Sequence, residues 1–275
     1  MSIFDEPKID CHNHLFDPLH FPYRSQTLYR PAGQEIGTLA QFNRVLDAYG
    51  VKHALLVGPT SGYRTDNSLL LHALAQGQGR FKGIAVVEDD ASLEQLAALK
   101  QAGVVGVGFN PAGEGTAVMN GVDGLFARLA ELDMFAQIQV KQDELLELLP
   151  LLERNTPLLL IDHCGRPQQE LGLNQPGFEA LLRLADSGRA CVKISGMQKF
   201  SHIDELFEQT DRYVQALLRA FGPQACVWGS DWPFLREQSR VDYGPLLKYA
   251  EQFMPDAQVR RQVMWDTPRR LFGFA

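Results

Sequence analysis

The sequence predicts a single α/β domain folded as a (β/α)8 barrel, or TIM barrel, over residues 1–275, and three observations carry this prediction. Eight short apolar runs alternate with longer amphipathic segments, which is the order of strands and helices in such a barrel. Most of the runs are rich in Val, Ile and Leu without strict polar alternation, as in parallel strands buried on both faces. The 275 residues, of which 45% are hydrophobic, can form one large core, and no linker or repeat divides them.

The eight apolar runs give the predicted strands. They span 9–12, 53–57, 81–87, 104–109, 135–140, 158–163, 190–195 and 225–229. An open, doubly wound sheet is the competing arrangement. It is disfavoured because His12-Asn13-His14 follows the first strand, where that fold would carry a glycine-rich phosphate-binding turn.

The segments between the strands show helical spacing. In the first of them Leu39 and Phe42 lie on one face, and Thr38 is placed to cap the N-terminus. The predicted helices span 39–49, 67–75, 93–101, 122–132, 143–152, 177–185 and 205–221. Segment 16–37, with three prolines, predicts a loop at the barrel mouth, and 255–275 predicts one or two closing helices.

Composition and charge exclude several classes of function. The net charge of −7 argues against broad binding of nucleic acid, which needs a basic surface. No apolar run approaches the length of a membrane span, and the first ten residues lack the pattern of a secretory signal. The four cysteines show no paired spacing, so we expect reduced, buried thiols in a cytoplasmic protein.

The candidate catalytic residues lie where predicted strands end. His12 and His14 close the first strand and share one of its faces, because side chains two apart point the same way. His163 ends the sixth strand, and Asp231 follows the eighth. A closed barrel brings its first and last strands together, and barrel enzymes carry catalytic groups at the C-terminal ends of strands. We therefore predict that these residues form one hydrolytic site.

The fifth predicted strand alternates polar and apolar residues. This alternation places Gln137, Gln139 and Lys141 inside the barrel, with Ile138 and Val140 against the helices. Polar groups from several strands would then converge at one end, as a binding site requires.

Each candidate also has a purely structural interpretation. A strand histidine can be a hydrogen-bonded core residue, and Asp231 can hold a turn. Lys193 lies within the seventh strand, where contact with a ligand and an internal ion pair both stay open. Asp10 and Asp162 are interpreted as residues that hold loops or orient a neighbouring histidine. No role is assigned to His20, His53, His72 and His202.

Five stretches resemble the lactonase branch of the amidohydrolase superfamily, which includes 2-pyrone-4,6-dicarboxylate lactonase and sugar-lactone hydrolases. They are DCHNH at 10–14, GVGFN at 106–110, IDHCGRP at 161–167, VKISG at 192–196 and WGSDWP at 228–233. The resemblance implies a TIM-barrel hydrolase that opens a lactone, a cyclic ester. Asp231 is then the general base, kept ionised by the imidazoles while burial raises its basicity. The residues implied to polarise the substrate carbonyl are His12, His14 and His163.

Departures from the pattern of this branch bear on substrate and metal. Gly108 and Glu114 stand where the dicarboxylate lactonase carries carboxylate-binding arginines, which disfavours that dicarboxylate. Metal-dependent members add a histidine after strand five and a lysine or glutamate after strand four, where this chain has Gln139 and Asn110. No metal cofactor is therefore favoured. The residues left for a weakly bound Zn²⁺ are His12, His14 and Asp231.

The sequence thus predicts a hydrolase that acts on an ester bond, with water attacking a small anionic or polyhydroxy lactone. The predicted substrate-binding residues are Tyr63, Arg64, Asn110, Gln139 and Lys193. Arg64 suits a carboxylate or hydroxyl of the substrate. For Arg166, contact with the substrate and anchoring of its own loop both stay open. A metal-dependent amidohydrolase or decarboxylase of the same superfamily, and a catalytically silent metabolite-binding barrel, stay open as alternatives. Homo-oligomerisation also stays open.

Overall fold

Eight parallel strands in the order β1 to β8 form the barrel in the computed structural model, which describes residues 2–27, 29–201, 206–237 and 239–275. The strands are β1 Lys8–Asn13, β2 Val51–Val57, β3 Phe81–Ala85, β4 Val104–Phe109, β5 Phe135–Ile138, β6 Leu158–Ile161, β7 Ala190–Ile194 and β8 Cys226–Trp228. The first and last strands meet just beyond their ends. Asp231 N donates to His12 O at 2.8 Å, and His14 N donates to Trp232 O at 2.8 Å. The predicted fold is confirmed.

Five strands end one or two residues earlier than predicted. The third, fifth, sixth, seventh and eighth stop at Ala85, Ile138, Ile161, Ile194 and Trp228. At the sixth strand the cause is visible, because His163 takes a left-handed backbone conformation with φ 52° that a strand cannot contain. The residues that the prediction counted as strand ends therefore belong to the loops at the barrel mouth.

Helices surround the barrel. They are α1 Leu39–Ala48, α2 Ser68–Gly77, α3 Leu93–Gln101, α4 Pro111–Glu114, α5 Asp123–Glu131, α6 Glu144–Arg154, α7 Pro176–Leu184, α8 Leu206–Phe221, α9 Tyr243–Phe253, α10 Ala257–Arg261 and α11 Thr267–Phe272. The Thr38 side chain accepts from Gln41 N, which confirms the predicted cap of α1. The seven predicted helices are present, although the predicted start of α8 at Glu205 lies outside the described residues, as does His202.

Two helices were not predicted. They are the single-turn helix α4 and the longer α9. The buried residues of α9 include Tyr243, Leu247 and Ala250, which have helical spacing, but Gly244 and Pro245 interrupt the pattern at its start. The closing segment contains α10 and α11, joined by a π-helical turn, in agreement with the predicted closing helices. None of the helices in the described ranges is long and apolar enough to span a bilayer.

The core lies in two layers that leave one end of the barrel polar. The larger layer packs between the strands and the helices and contains Ile138 and Val140, as predicted. The inner layer fills the barrel, where Phe272 packs against Phe135 at the start of β5 with ring centroids 5.4 Å apart. Apolar side chains plug the N-terminal end, and the polar residues of the candidate site lie toward the C-terminal ends of the strands.

Candidate active site

The end of β1 is irregular, and the irregularity helps to turn His12 into the barrel. Asp10 pairs with Ala54 and Asn13 with Leu56, so three residue steps on β1 face two on β2, as in a β-bulge. His12 N donates to Asp10 Oδ1 at 3.2 Å. Bulges commonly re-aim side chains beside active sites, and His12 lies within this one.

Asp10 ties the ends of β1 and β8 together. Its buried carboxylate accepts from Ser230 N at 3.0 Å, Ser230 Oγ at 2.6 Å and the Tyr243 hydroxyl at 3.0 Å. Gly229 allows the two strands to approach, because a Cβ there would lie 2.6 Å from His12 N. Asp10 thus holds the segment that carries the catalytic candidates, in the structural role expected for it.

Asp231 stands at the centre of three imidazoles. It leaves β8 with a left-handed backbone, φ 64°, an uncommon conformation for a residue other than glycine. Its Oδ1 lies 3.7 Å from His12 Nε2, 3.9 Å from His14 Nε2 and 3.9 Å from His163 Nε2. These separations exceed hydrogen-bond length, so the carboxylate and the rings face one another across a space suited to an oxygen atom of a ligand.

The other carboxylate oxygen of Asp231 is held by two donors that the sequence analysis did not assign to it. Gln198 Nε2 donates to Oδ2 at 3.1 Å, and Lys199 Nζ lies 3.4 Å from the same atom. Burial by itself raises the pKa of Asp231, but Lys199 and the three imidazoles outweigh burial and hold that pKa below its usual value. Asp231 is therefore ionised at neutral pH. The expected net rise in its basicity is wrong, although burial does act in that direction.

His12 and His163 are buried, His14 is half-buried, and all three are neutral at pH 7. Burial is the main cause that lowers the pKa of His12, His14 and His163. His14 Nδ1 lies 2.9 Å from the carbonyl oxygen of Val57, which can only accept, so Nδ1 carries the proton of this ring. His14 Nε2 then presents a lone pair to the site. His163 Nδ1 lies 3.0 Å from Ser195 Oγ, which can donate or accept.

A cavity of about 610 Å³ opens above these residues. Five of the predicted site residues lie on its wall: His14, Asn110, Gln139, His163 and Asp231. His12 and Lys193 lie behind the wall, with 1% and 0% of their surfaces exposed. Lys193 contacts His12 and forms an internal ion pair with Asp162. It does not line the cavity, where it was predicted to bind substrate.

Tyr63 and Arg64 were predicted to bind substrate, but the structure does not place them on the wall of the cavity. Tyr63 is buried, accepts a hydrogen bond from Asp17 N at 3.0 Å and lines a smaller neighbouring pocket. Arg64 forms an ion pair with Glu114, with Nη1 and Oε1 3.2 Å apart.

Arg166 also lies on the wall of the cavity, and the sequence left its role open. Its guanidinium makes no hydrogen bond or ion pair with the described residues, and its Nε is buried. Burial lowers its pKa, while Asp231, Glu144 and Glu237 act in the opposite direction. An arginine remains charged even so. Its unpaired donors therefore favour contact with an anionic ligand over the anchoring of its own loop.

Charge is distributed unevenly around the cavity. The loops after β6, β7 and β8 contribute Arg166, Lys199 and Arg236. Lys199 is neutralised by Asp231 and Glu237, and Arg236 is exposed with its guanidinium stacked over the Tyr29 ring, 4.1 Å from the centroid. Among the described residues, the opposite wall presents no cation. It offers the neutral polar side chains of Thr60, Ser61, Asn110 and Gln139.

Within the part of the chain that the structure describes, two groups of side chains have ligand atoms close enough together to share a metal ion. In each group these atoms lie within 4.8 Å of one another. One group is His12, His14 and Asp231, as the sequence predicted for a weakly bound metal. The other is His12, Asp162 and His163. The spacing alone therefore permits a metal.

A (β/α)8 barrel that gathers histidines and an aspartate at the ends of β1, β6 and β8 has the arrangement of a barrel hydrolase. The chain belongs to the amidohydrolase family, whose sequence model matches residues 9–274. It is 28% identical over 271 residues to a 4-sulfomuconolactone hydrolase of Hydrogenophaga intermedia, with 96% of this chain and 88% of that protein covered.

Two further comparisons agree with this family. The chain is 24% identical over 283 residues to a 2-pyrone-4,6-dicarboxylate hydrolase of Comamonas testosteroni, covering 96% of this chain and 89% of that protein. A crystal structure from Acinetobacter baumannii, described as a probable 2-pyrone-4,6-dicarboxylic acid hydrolase with citric acid bound, superposes with a TM-score of 0.88. The two chains are 27% identical, with 97% and 99% covered. The resemblance to the amidohydrolases is confirmed.

Proposed function

We propose that this protein is an ester hydrolase that opens a lactone by attack of water. The observation that carries the proposal is the grouping of three imidazole Nε2 atoms 3.7–3.9 Å from one carboxylate oxygen of Asp231, beside a substrate-sized cavity. Relatives that match nearly the whole chain are named as hydrolases of lactones, which supports this reaction. A metabolite-binding barrel without catalysis would need no such carboxylate.

Asp231 and His14 are suited to hold the water. Both present acceptors, Oδ1 and the unprotonated Nε2, 3.9 Å apart, so one water can donate to each. Asp231 takes a proton as the water oxygen bonds to the lactone carbonyl carbon. The ring C–O bond then breaks, and the same proton passes to the departing oxygen. This role for His14 replaces the predicted one, because a neutral His14 has no Nε2 proton to donate to the carbonyl.

His12 and His163 remain as donors toward the carbonyl oxygen. Their Nε2 atoms approach Asp231 from the other two sides, and their ring centroids lie 4.3 Å apart. Hydrogen bonds placed where negative charge develops stabilise the tetrahedral transition state, typically by about 2.7–4 kcal/mol for one donor. Neutral imidazole donors suffice for a lactone, because its ester carbonyl is already electrophilic.

The charge of the wall supports a substrate with a single anionic group. On one side of the cavity, Arg166 offers a guanidinium that pairs with none of the described side chains. The opposite side offers Asn110 and Gln139, whose amides suit hydroxyl or carbonyl groups. A second carboxylate on that side would be desolvated without a cationic partner, which is unfavourable. We therefore propose a monoanionic, hydroxylated lactone.

No step of this mechanism passes through a metal, because the donor set fits one poorly. Lys199, an ammonium 3.4 Å from Asp231 Oδ2, already neutralises the carboxylate that would be a ligand. The loops after β4 and β5 present the amides of Asn110 and Gln139, which are weak ligands for zinc. A metal-dependent amidohydrolase or decarboxylase stays as the second candidate, favoured by the spacing of His12, His14 and Asp231.

Matched pairs of lactones test the function and the substrate class together. D-glucaro-1,4-lactone and D-glucono-1,4-lactone share ring and hydroxyl pattern but differ by one carboxylate, as do the galactaro and galactono compounds. Acid release should be faster from the carboxylate member of a pair, by about 10–100-fold in kcat/KM for one charge-assisted contact. Arg166→Gln should remove this preference and leave the uncharged lactones within about threefold. The panel also includes lactones with aromatic and aliphatic rings. If the protein hydrolyses none of the lactones, the proposed function is refuted.

A further inference from the structure

Lys193 is a buried cation that the mechanism above does not use. It lies within β7 with 0% of its surface exposed, behind the wall of the cavity. An ammonium in such a place is tolerated only when its donors meet acceptors. The groups that contact the Lys193 ammonium therefore indicate its role.

Among the described residues, two hydrogen-bond acceptors and one carboxylate surround the Lys193 ammonium. Nζ donates to Gln137 Oε1 at 2.6 Å and contacts His12 Nδ1 at 3.1 Å within hydrogen-bond geometry. Asp162 Oδ1 completes the set as an ion pair at 3.2 Å. Gln137 cannot rotate to offer its amide nitrogen instead, because Nε2 donates to Asp162 Oδ2 at 2.9 Å.

This network fixes the proton on the His12 ring. An ammonium has donors and no acceptor, so His12 Nδ1 must accept from Lys193. A neutral imidazole carries one N–H, and His12 therefore carries it on Nε2. Asp162 Oδ1 lies 3.3 Å from the same Nδ1, but it makes no hydrogen bond with any described residue, so a ring N–H directed at Asp162 is not the arrangement observed.

His12 Nε2 is the atom that faces the site. It is buried without a hydrogen-bond partner among the described residues and points to the space beside Asp231. We propose that Lys193 is a positioning residue that holds His12 in the Nε2–H form, so that His12 donates to the carbonyl oxygen of the substrate. The proposal rests on the proposed lactone hydrolysis. It also explains why two histidines of one strand act differently, since Val57 fixes the opposite form on His14.

NMR of the protein labelled with ¹⁵N-histidine tests the tautomer directly. Long-range ¹H–¹⁵N correlations, assigned to His12 by comparison with His12→Gln, should show the proton on Nε2. In Lys193→Met the proton should move to Nδ1, with Asp162 as the new acceptor. A wild-type His12 protonated on Nδ1 would overturn the proposal without any variant.

Kinetics test what the tautomer does, and Lys8→Met is the matched control. Lys8 is also fully buried and donates to the carbonyl oxygens of Tyr49 at 2.9 Å and Phe4 at 3.2 Å, at the opposite end of the barrel. Lys193→Met should lower kcat by about 10²–10³-fold with KM within about threefold, as for loss of one oxyanion donor. Lys8→Met should lower the melting temperature comparably and keep kcat within about twofold. Equal kinetic loss in the two variants would reduce Lys193 to a packing role.

Two further outcomes are distinguishable. If Lys193→Met does not fold, the wild-type spectrum alone decides the proposal, because the proposal requires the proton on His12 Nε2 and a proton on Nδ1 contradicts it. If the wild-type protein hydrolyses no lactone, the proposed function fails, and the spectra still decide whether Lys193 sets the His12 tautomer.

Discussion

Arg64 and Glu114, fifty residues apart in the chain, form an ion pair at the barrel mouth with Nη1 and Oε1 3.2 Å apart. Arg64, the cation that the sequence suggested for substrate binding, is therefore already paired with a carboxylate. The pair also places a carboxylate where the dicarboxylate lactonase pattern has an arginine. The side of the cavity formed by the loops after β2 and β4 is thereby deprived of an available positive charge.

We expect 2-pyrone-4,6-dicarboxylate to be hydrolysed poorly or not at all. Each lost bidentate arginine contact to a carboxylate should cost about 1.5–3 kcal/mol, so two lost contacts amount to about 10²-fold or more in kcat/KM. Steady-state kinetics with this compound, against the matched sugar-acid lactones, give the comparison. A kcat/KM near 10⁶ M⁻¹s⁻¹, in the upper range for enzymes, would show that other residues replace the arginines.

Activity should not depend on a bound metal. Lys199 already occupies the second oxygen of Asp231, and the chain supplies amides where metal-dependent members supply a histidine and a lysine or glutamate. Dialysis against a strong chelator should leave the rate within about twofold, with metal content followed by elemental analysis. Loss of activity that Zn²⁺ or Mn²⁺ restores would move the protein to the metal-dependent class.

The stability of the protein should fall in mildly acidic solution. Burial lowers the pKa of His163, so between the unfolded value of about 6.5 and the lower folded value the unfolded chain binds a proton that the native protein does not. Stability from this residue is therefore complete above pH 6.5 and is lost as pH falls. The slope is about 1.4 kcal/mol per pH unit for one such group.

Urea unfolding of wild type and His163→Asn over pH 5–8 measures this contribution. The two slopes should coincide above pH 7 and diverge below pH 6.5, where the variant should be less acid-sensitive by the amount given. Parallel profiles across the whole range would mean that His163 binds its proton equally in the native and the unfolded protein, so that burial does not lower its pKa.

The sequence was sufficient for the barrel and for the meeting of His12, His14, His163 and Asp231, because strand periodicity and barrel closure fix both. It was insufficient where a side chain depends on a partner from a distant loop. The predicted sign of the Asp231 pKa shift was wrong chiefly because Lys199, from the loop after β7, lies 3.4 Å from its second oxygen and lowers that pKa. No local sequence pattern predicts that Lys199 lies beside the Asp231 carboxylate.

Loop geometry explains the misplaced substrate-binding residues in the same way. Tyr63 and Arg64 follow a strand end, as a site residue should, but a loop can turn such residues in either direction. Here Tyr63 stacks on Phe16 with ring centroids 6.0 Å apart, a contact between two loops of the barrel mouth. Arg166 could have been ranked higher from its place three residues after His163, although its lack of an ion pair is visible only in the structure.

Asp231→Asn should abolish most turnover while the fold and substrate binding survive. The amide keeps the shape of the carboxylate and loses its basicity. General-base catalysis typically contributes about 10²–10⁴-fold, or roughly 3–5.5 kcal/mol of barrier. The loss should appear in kcat, because the base acts in the transition state. Since the pKa of Asp231 is held below its usual value, the wild-type rate should lose this base only in strongly acidic solution, and the variant should lack that dependence.

Asp143 provides a control that distinguishes a general base from an aspartate that only holds a turn. Asp143 Oδ1 accepts from Gly177 N at 2.8 Å and only anchors a loop, so Asp143→Asn should lower the melting temperature and keep kcat. If Asp231 were a turn residue, its variant would behave in the same way. Thermal melts and steady-state kinetics on the two variants decide between the roles, and near-normal kcat in Asp231→Asn would end the mechanism proposed for this site.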